Sequence, residues 1–245
     1  MIARADRAIW SGAAVARLAL GTVFAVAACL SSTPAWAEVG AALSAFSDDR
    51  YHGLTLSDGR PIASLDLSYD SSTGLYGALS GSAVASREGP RPLRITVNAG
   101  FARAIGRELT ADVGIVHWRS SHYSGLASGR SYTELYAGLA RKGVTARLSL
   151  SPSYIGTSHW IVRGALETRK GLSETLSLDA EVAASWPVGG GYERPVWDAR
   201  LGLTRRIGAF SLQAAVTARG RSRVNYYAGE DHHRAALVVG ISKAL

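Results

Sequence analysis

From residue 38 to residue 245 the chain alternates apolar and polar residues, stretch after stretch. The connections alternate too, five tight turns with six long loops. A period of two sends successive side chains to opposite faces of a strand. Connections that are short on one side and long on the other are what an outer-membrane barrel has, with short periplasmic turns, long external loops, apolar side chains toward lipid and polar ones toward the lumen. No soluble core requires all the turns on one side to be short. The pattern predicts an all-β fold: a transmembrane antiparallel β-barrel of about twelve strands, an even number that returns both termini to the periplasm.

The fourth stretch is the clearest. Leu93, Ile95, Val97, Ala99 and Phe101 alternate with Arg94, Thr96, Asn98, Gly100 and Ala102, so one face must be wet for Arg94 and Asn98 to be tolerated. The ninth sets Leu176, Leu178, Ala180 and Val182 against Ser177, Asp179 and Glu181. The eighth is weaker, because Ile161 falls on the polar face with Arg163 and Glu167. Trp118, Trp160, Trp186 and Trp197 lie beside long loops, and Phe101 and Phe210 beside tight turns, as two interfacial girdles require. A β-sandwich, the alternative, needs two dry inner faces instead of a charged one.

Ahead of this region, Arg4, Arg7 and Arg17 precede an apolar run of 13 residues, Leu18 to Leu30, and Pro34-Ala35-Trp36-Ala37 precedes Glu38. A basic region, a short apolar core and a small-x-small site make residues 1–37 a secretory signal peptide, leaving 38–245 as the barrel. The run is shorter than the roughly 20 residues of a spanning helix. Cleavage after Ala37 is expected, with lipidation at Cys29 in Val26-Ala27-Ala28-Cys29 as the alternative. Either way no internal cysteine remains for a disulfide or thiolate metal site. Loss of the signal takes the net charge from +8 to +6. Much of that charge sits in tight turns, at Arg107, Arg141, Lys142, Arg169, Lys170, Arg205 and Arg206, where it either meets anionic phospholipid or simply favours solubility and turns. Arginine-rich hairpins without a basic helix argue against nucleic acid as a partner.

Several segments resemble a known family. Tyr51-His52-Gly53-Leu54-Thr55-Leu56-Ser57-Asp58-Gly59-Arg60-Pro61 is similar to the N-terminal signature of the TorF-type family of proteobacterial outer-membrane porins, grouped as conserved hypothetical outer-membrane proteins. Gly74-Leu75-Tyr76-Gly77, Tyr132-Thr133-Glu134-Leu135-Tyr136-Ala137-Gly138-Leu139 and the closing Gly240-Ile241-Ser242-Lys243 resemble it in the same order. Where that family usually has an arginine before the first glycine, this chain has His52, so a role for that guanidinium does not carry over. The resemblance implies a pore in the outer membrane of a Gram-negative bacterium and brings no catalytic residues or cofactors.

The inward-facing charges are then the candidate pore lining: Asp66, Arg94, Asp112, Glu134, Arg147, Arg163, Glu167, Asp179, Glu181, Asp198 and Arg200. Arg94 with Asp112 and Glu134 with Arg147 fall on neighbouring strands, and opposed rows of charge create a transverse field that orients polar solutes. The same pairs could equally brace a filled interior. The six histidines, His52, His117, His122, His159, His232 and His233, map to long loops or the adjoining strand ends, hence to the external rim, without the HxH or HExxH spacing of a metal site. His122-Tyr123-Ser124 is the one candidate catalytic pair, resembling the His-x-Ser of outer-membrane lipid A deacylases, since a strand would point both side chains the same way. The expected function is a passive or weakly selective channel for small polar solutes. The alternatives are a lipid hydrolase using His122 and Ser124, and a plugged structural or adhesive barrel. Expected partners are outer-membrane lipids with lipopolysaccharide, the barrel-assembly machinery and the solutes themselves.

Overall fold

Twelve long strands pair antiparallel with their neighbours in sequence, and the last returns to the first to close a barrel. The computed structural model describes residues 37–123, 131–152, 160–188, 195–220 and 234–245. In chain order the elements are β1 (Ala37–Phe46), a two-residue pair β2 (Arg50–Tyr51) and β3 (Leu54–Thr55), β4 (Ile62–Ser71), β5 (Leu75–Ser86), β6 (Gly89–Ile105) and β7 (Leu109–Ser120). They continue with β8 (Ser131–Arg141), β9 (Val144–Ser151), β10 (Trp160–Gly171), β11 (Leu176–Val188), β12 (Val196–Ile207), β13 (Phe210–Arg219) and β14 (Ala235–Ala244). All but β2 and β3 belong to the wall. No helix among the described residues is long and apolar enough to cross a membrane, so crossing falls to the strands.

The outer surface is inverted relative to a soluble protein. Ile95, Val113, Leu135, Leu148, Leu166, Val182, Leu201, Val216 and Leu237 are all about half exposed, on every side of the wall. In water such a surface would aggregate; in lipid it is the solvated face. Trp160, Trp186 and Trp197 are exposed near one rim, Phe101 and Phe210 near the other, giving the two aromatic belts.

Two sequence expectations about this wall are corrected. Leu93 does not face lipid: it is 0% exposed. The β5–β6 register passes from Ser82↔Arg94 to Ala83↔Pro92, leaving Leu93 as the extra residue of a β-bulge that turns it inward. There it joins Leu56, Ile62 and Val84 in a small apolar cluster. Trp118 is likewise internal at 1% exposure, with its indole edge-on to Tyr132 at 5.0 Å. It shares its face of β7 with Asp112, so strand parity overrides the general preference of tryptophan for the interface.

The loops also differ from a simple alternation of short and long. β5 and β6 continue past the expected strand ends and meet at a two-residue turn, Arg87-Glu88, where a long loop was expected. The closing seam is short: β1 and β14 pair over five positions, from Ala42↔Ala244 to Phe46↔Gly240, whereas β1 and β4 pair over ten.

Candidate functional site

The segment between β1 and β4, residues 47–61, does not stand outside the barrel. It folds into the lumen as a small hairpin, here called the inner loop. Its tip is Tyr51-His52-Gly53-Leu54, with Tyr51 paired to Leu54 and positive φ at both His52 (47°) and Gly53 (76°). Positive φ at both central residues is the mirror-image turn that suits a two-residue hairpin. Gly53 is needed for a second reason: a Cβ there would sit 2.8 Å from the Arg219 Cβ and 3.2 Å from the Ala218 carbonyl oxygen. The tip thus presses against β13, on the far side of β14 from its own stems.

Polar bonds hold the hairpin together. Asp48 accepts from the Thr55 hydroxyl at 2.5 Å and the Ser57 hydroxyl at 2.8 Å, and pairs with Arg50 at 2.8 Å. Arg50 also donates to the Gly53 carbonyl at 2.8 Å, and the Asp49 amide donates to the Ser57 hydroxyl at 3.0 Å. Other contacts hold it to the wall. Asp49 pairs with Arg94 of β6 at 3.1 Å, and Arg219 of β13 donates to the His52 carbonyl at 3.2 Å. Tyr51 lies edge-on to Trp118 and tilted on Tyr132, with centroids 5.6 and 5.8 Å away. Leu56 is buried in the cluster with Ile62, Val84 and Leu93, which contributes about 2 kcal/mol for a leucine removed from water. Burial and the neighbouring Arg163, Arg219 and Arg94 guanidiniums hold the His52 imidazole well below its ordinary 6.5, so it is neutral. Burial raises Asp49 despite the opposing pull of Arg94.

Beside the inner loop is a cavity of about 500 Å³ inside the barrel. All eleven candidate lining charges are on inward faces. Eight line this cavity: Asp66, Arg94, Glu134, Arg147, Arg163, Glu167, Glu181 and Arg200. Asp179 meets Arg200 on the neighbouring strand, whereas Asp112 and Asp198 reach Arg147 and Arg163 two strands away. The pairs differ from those expected. Arg94 opposes Ser120, and Asp112 opposes Ala102, so those two charges lie far apart along the β6–β7 hairpin. Asp112 instead meets Arg147 at 3.7 Å, and Arg147 also reaches Glu167 at 3.4 Å. Glu134 is not paired with Arg147; its carboxylate accepts from the Tyr132 hydroxyl at 3.1 Å. Arg163 binds Asp198 through two bonds of 2.7 and 3.0 Å and also binds Glu181, while Arg200 binds Asp179.

Toward the tight-turn end, Tyr76 and Tyr136 extend over the wall with hydroxyls 2.5 Å apart, and Tyr76 donates to Asp112. Each ring covers a glycine: a Cβ on Gly100 would strike Tyr76, and one on Gly114 would strike Tyr136. The Arg147 guanidinium stacks over Tyr136 at 4.9 Å. In the sequence both tyrosines stand out only as members of the family-like segments Gly74-Leu75-Tyr76-Gly77 and Tyr132 to Leu139.

The described histidines do not all lie at a rim. His52 is inside the lumen, and His117 is exposed on the outer face with Nδ1 2.9 Å from the Thr133 hydroxyl. His159, His232 and His233 lie outside the described residues, as does the whole of residues 1–36 with Cys29. His122 is exposed just beyond β7, and its proposed partner Ser124 is outside the described residues. No group of three His, Cys, Asp or Glu side chains suited to a metal occurs among the described residues.

Comparison with known proteins fits this geometry. A family model described as a bacterial protein of unknown function (Gcw_chp) matches residues 31–239. No curated protein matches the sequence. Among solved structures, the NanC porin is similar with a TM-score of 0.57 at 12% identity, covering 84% of this chain and all of that one. The KdgM porin is similar with a TM-score of 0.51 at 8% identity, covering 83% of this chain and 98% of its own. At such identities the likeness is one of fold: this wall is built like those of outer-membrane porins.

Proposed function

The chain belongs to the Gcw_chp family of bacterial proteins of unknown function, and we propose that it is a porin-like channel in the outer membrane of a Gram-negative bacterium. Small polar or charged solutes would cross by passive, weakly selective diffusion. The observation behind this reading is the cavity of about 500 Å³ inside an apolar-walled barrel, lined by arginines and carboxylates where a filled core would have packed aliphatic side chains. Charged walls facing one another orient a polar solute and reject an apolar one. The inner loop narrows the path as the constriction, and TorF-type porins are the finer family to which the Tyr51-to-Pro61 signature points. In that setting lipopolysaccharide and the barrel-assembly machinery are its natural partners.

The experiment is single-channel recording in a planar bilayer under symmetric potassium chloride, with protein shown to be folded by its heat-modifiable gel shift. Discrete steps are expected. Folded protein without steps would favour the second reading, a plugged structural barrel, for which the inner loop lying across the lumen is the supporting observation.

A further inference from the structure

We infer that the lumen selects cations, with Asp66 and Glu134 as the residues that set the preference. This deepens the channel reading and rests on it. The chain as a whole is basic, at +8, but its charge is partitioned by location. The exposed turns hold arginines and lysines such as Arg141 and Lys142, while the interior has the opposite balance. Five internal arginines are occupied by seven carboxylates: Arg50 by Asp48, Arg94 by Asp49, Arg147 by Asp112 and Glu167, Arg163 by Glu181 and Asp198, and Arg200 by Asp179. A sixth, Arg219, donates to the His52 carbonyl.

Asp66 and Glu134 bring the carboxylates to nine, against six arginines, a surplus of three negative charges among these ion-paired and cavity-lining residues. Neither has an arginine or lysine within salt-bridge distance among the described residues. Asp66 accepts from the Ser64 hydroxyl at 3.2 Å, and Glu134 from Tyr132. Both line the same cavity, from β4 and from β8. A permeating ion therefore meets five guanidiniums already covered by counter-charges and two carboxylates that are not. Walls of low dielectric focus such a surplus onto the path, raising the local concentration of cations and excluding anions. The solutes favoured are alkali cations and small organic ammonium or guanidinium compounds.

The test is the reversal potential of single channels under a potassium chloride gradient, for wild type, for the double variant Asp66→Asn/Glu134→Gln, and for the turn variant Glu108→Gln. Potassium should permeate wild type several-fold more readily than chloride. The double variant should lose most of that preference, and Glu108→Gln, which alters an exposed turn, should retain it. A wild type that prefers chloride or neither ion overturns the inference while leaving the channel intact, and so does a folded double variant with unchanged selectivity. Absence of steps from any folded protein overturns the channel reading itself and this inference with it.

Discussion

Replacing Arg163 with leucine should destabilise the barrel far more than loss of any exposed ion pair. The Arg163 and Asp198 side chains are only 7% and 9% exposed, and two bonds of 2.7 and 3.0 Å join them. Glu181, at 33% exposed, is held less completely. Leucine fills part of the volume and leaves Asp198 buried without its counter-charge. Breaking such a pair from one side costs about 3–5 kcal/mol. The adjoining cavity lets the orphaned carboxylate recover some solvation, so the low end, about 3 kcal/mol, is expected. Arg141→Ala removes the Glu108 pair, whose side chains are 63% and 47% exposed and screened by solvent, and should leave stability nearly unchanged. The assay is urea unfolding of vesicle-inserted protein, followed by tryptophan fluorescence and the gel shift under one protocol for all variants. Arg163→Leu combined with Asp198→Asn should recover much of the loss, because the buried charge is gone. Equal, small losses for Arg163→Leu and Arg141→Ala would refute the claim that this network is desolvated.

Three further outcomes are expected. Replacing residues 48–58 with a short glycine-serine linker should raise single-channel conductance, and an unchanged conductance would mean that the loop does not obstruct the path. Acidification below about 6.5 should loosen the inner loop and raise conductance, because a docked His52 whose affinity for protons is depressed contributes docking stability above that pH and loses it as pH falls toward its docked value. Asp49, raised by burial, responds in the opposite sense, so the loss of the response in His52→Gln, read from conductance against pH, isolates the imidazole. Gly114→Ala should destabilise by about 1–3 kcal/mol, since its methyl group would overlap the Tyr136 ring, and the same urea series measures it.

How far the sequence could be read depended on whether a feature follows strand parity. The wall does, and its alternation, the outward leucines and valines and the inward charges all came from a period of two. Trp118 was legible on the same rule, by counting along β7 from Asp112, but its residue type suggested a girdle. Leu93 was not legible, because a bulge inserts one residue and reverses the face of everything beyond it. The charge pairs were half legible. The tight turn at Gly106-Arg107-Glu108 sets Ile105 opposite Leu109, and counting back from it puts Arg94 against Ser120. The partner that Arg94 does find, Asp49, comes from a loop whose inward path no periodicity encodes. Its signs were local: Leu54 and Leu56 are too apolar for an exposed loop, and His52-Gly53 suits a two-residue hairpin.

The short seam has a consequence for how the barrel stays shut. The stems of the inner loop belong to β1 and β4, on one side of the β1–β14 joint, and its tip touches Arg219 and the Asp198 region on β13 and β12, on the other. The loop therefore acts as a latch spanning the joint from within: its first residue, Ser47, is bonded to Val239 of β14, and its tip reaches past that strand to β13. Lateral opening would have to break five strand pairs and withdraw the latch as well, so the shortest joint in the wall need not be the easiest to open. Assembly is constrained in turn: the latch can engage only once β12 and β13 have come round to meet it, which makes its docking the step that records closure.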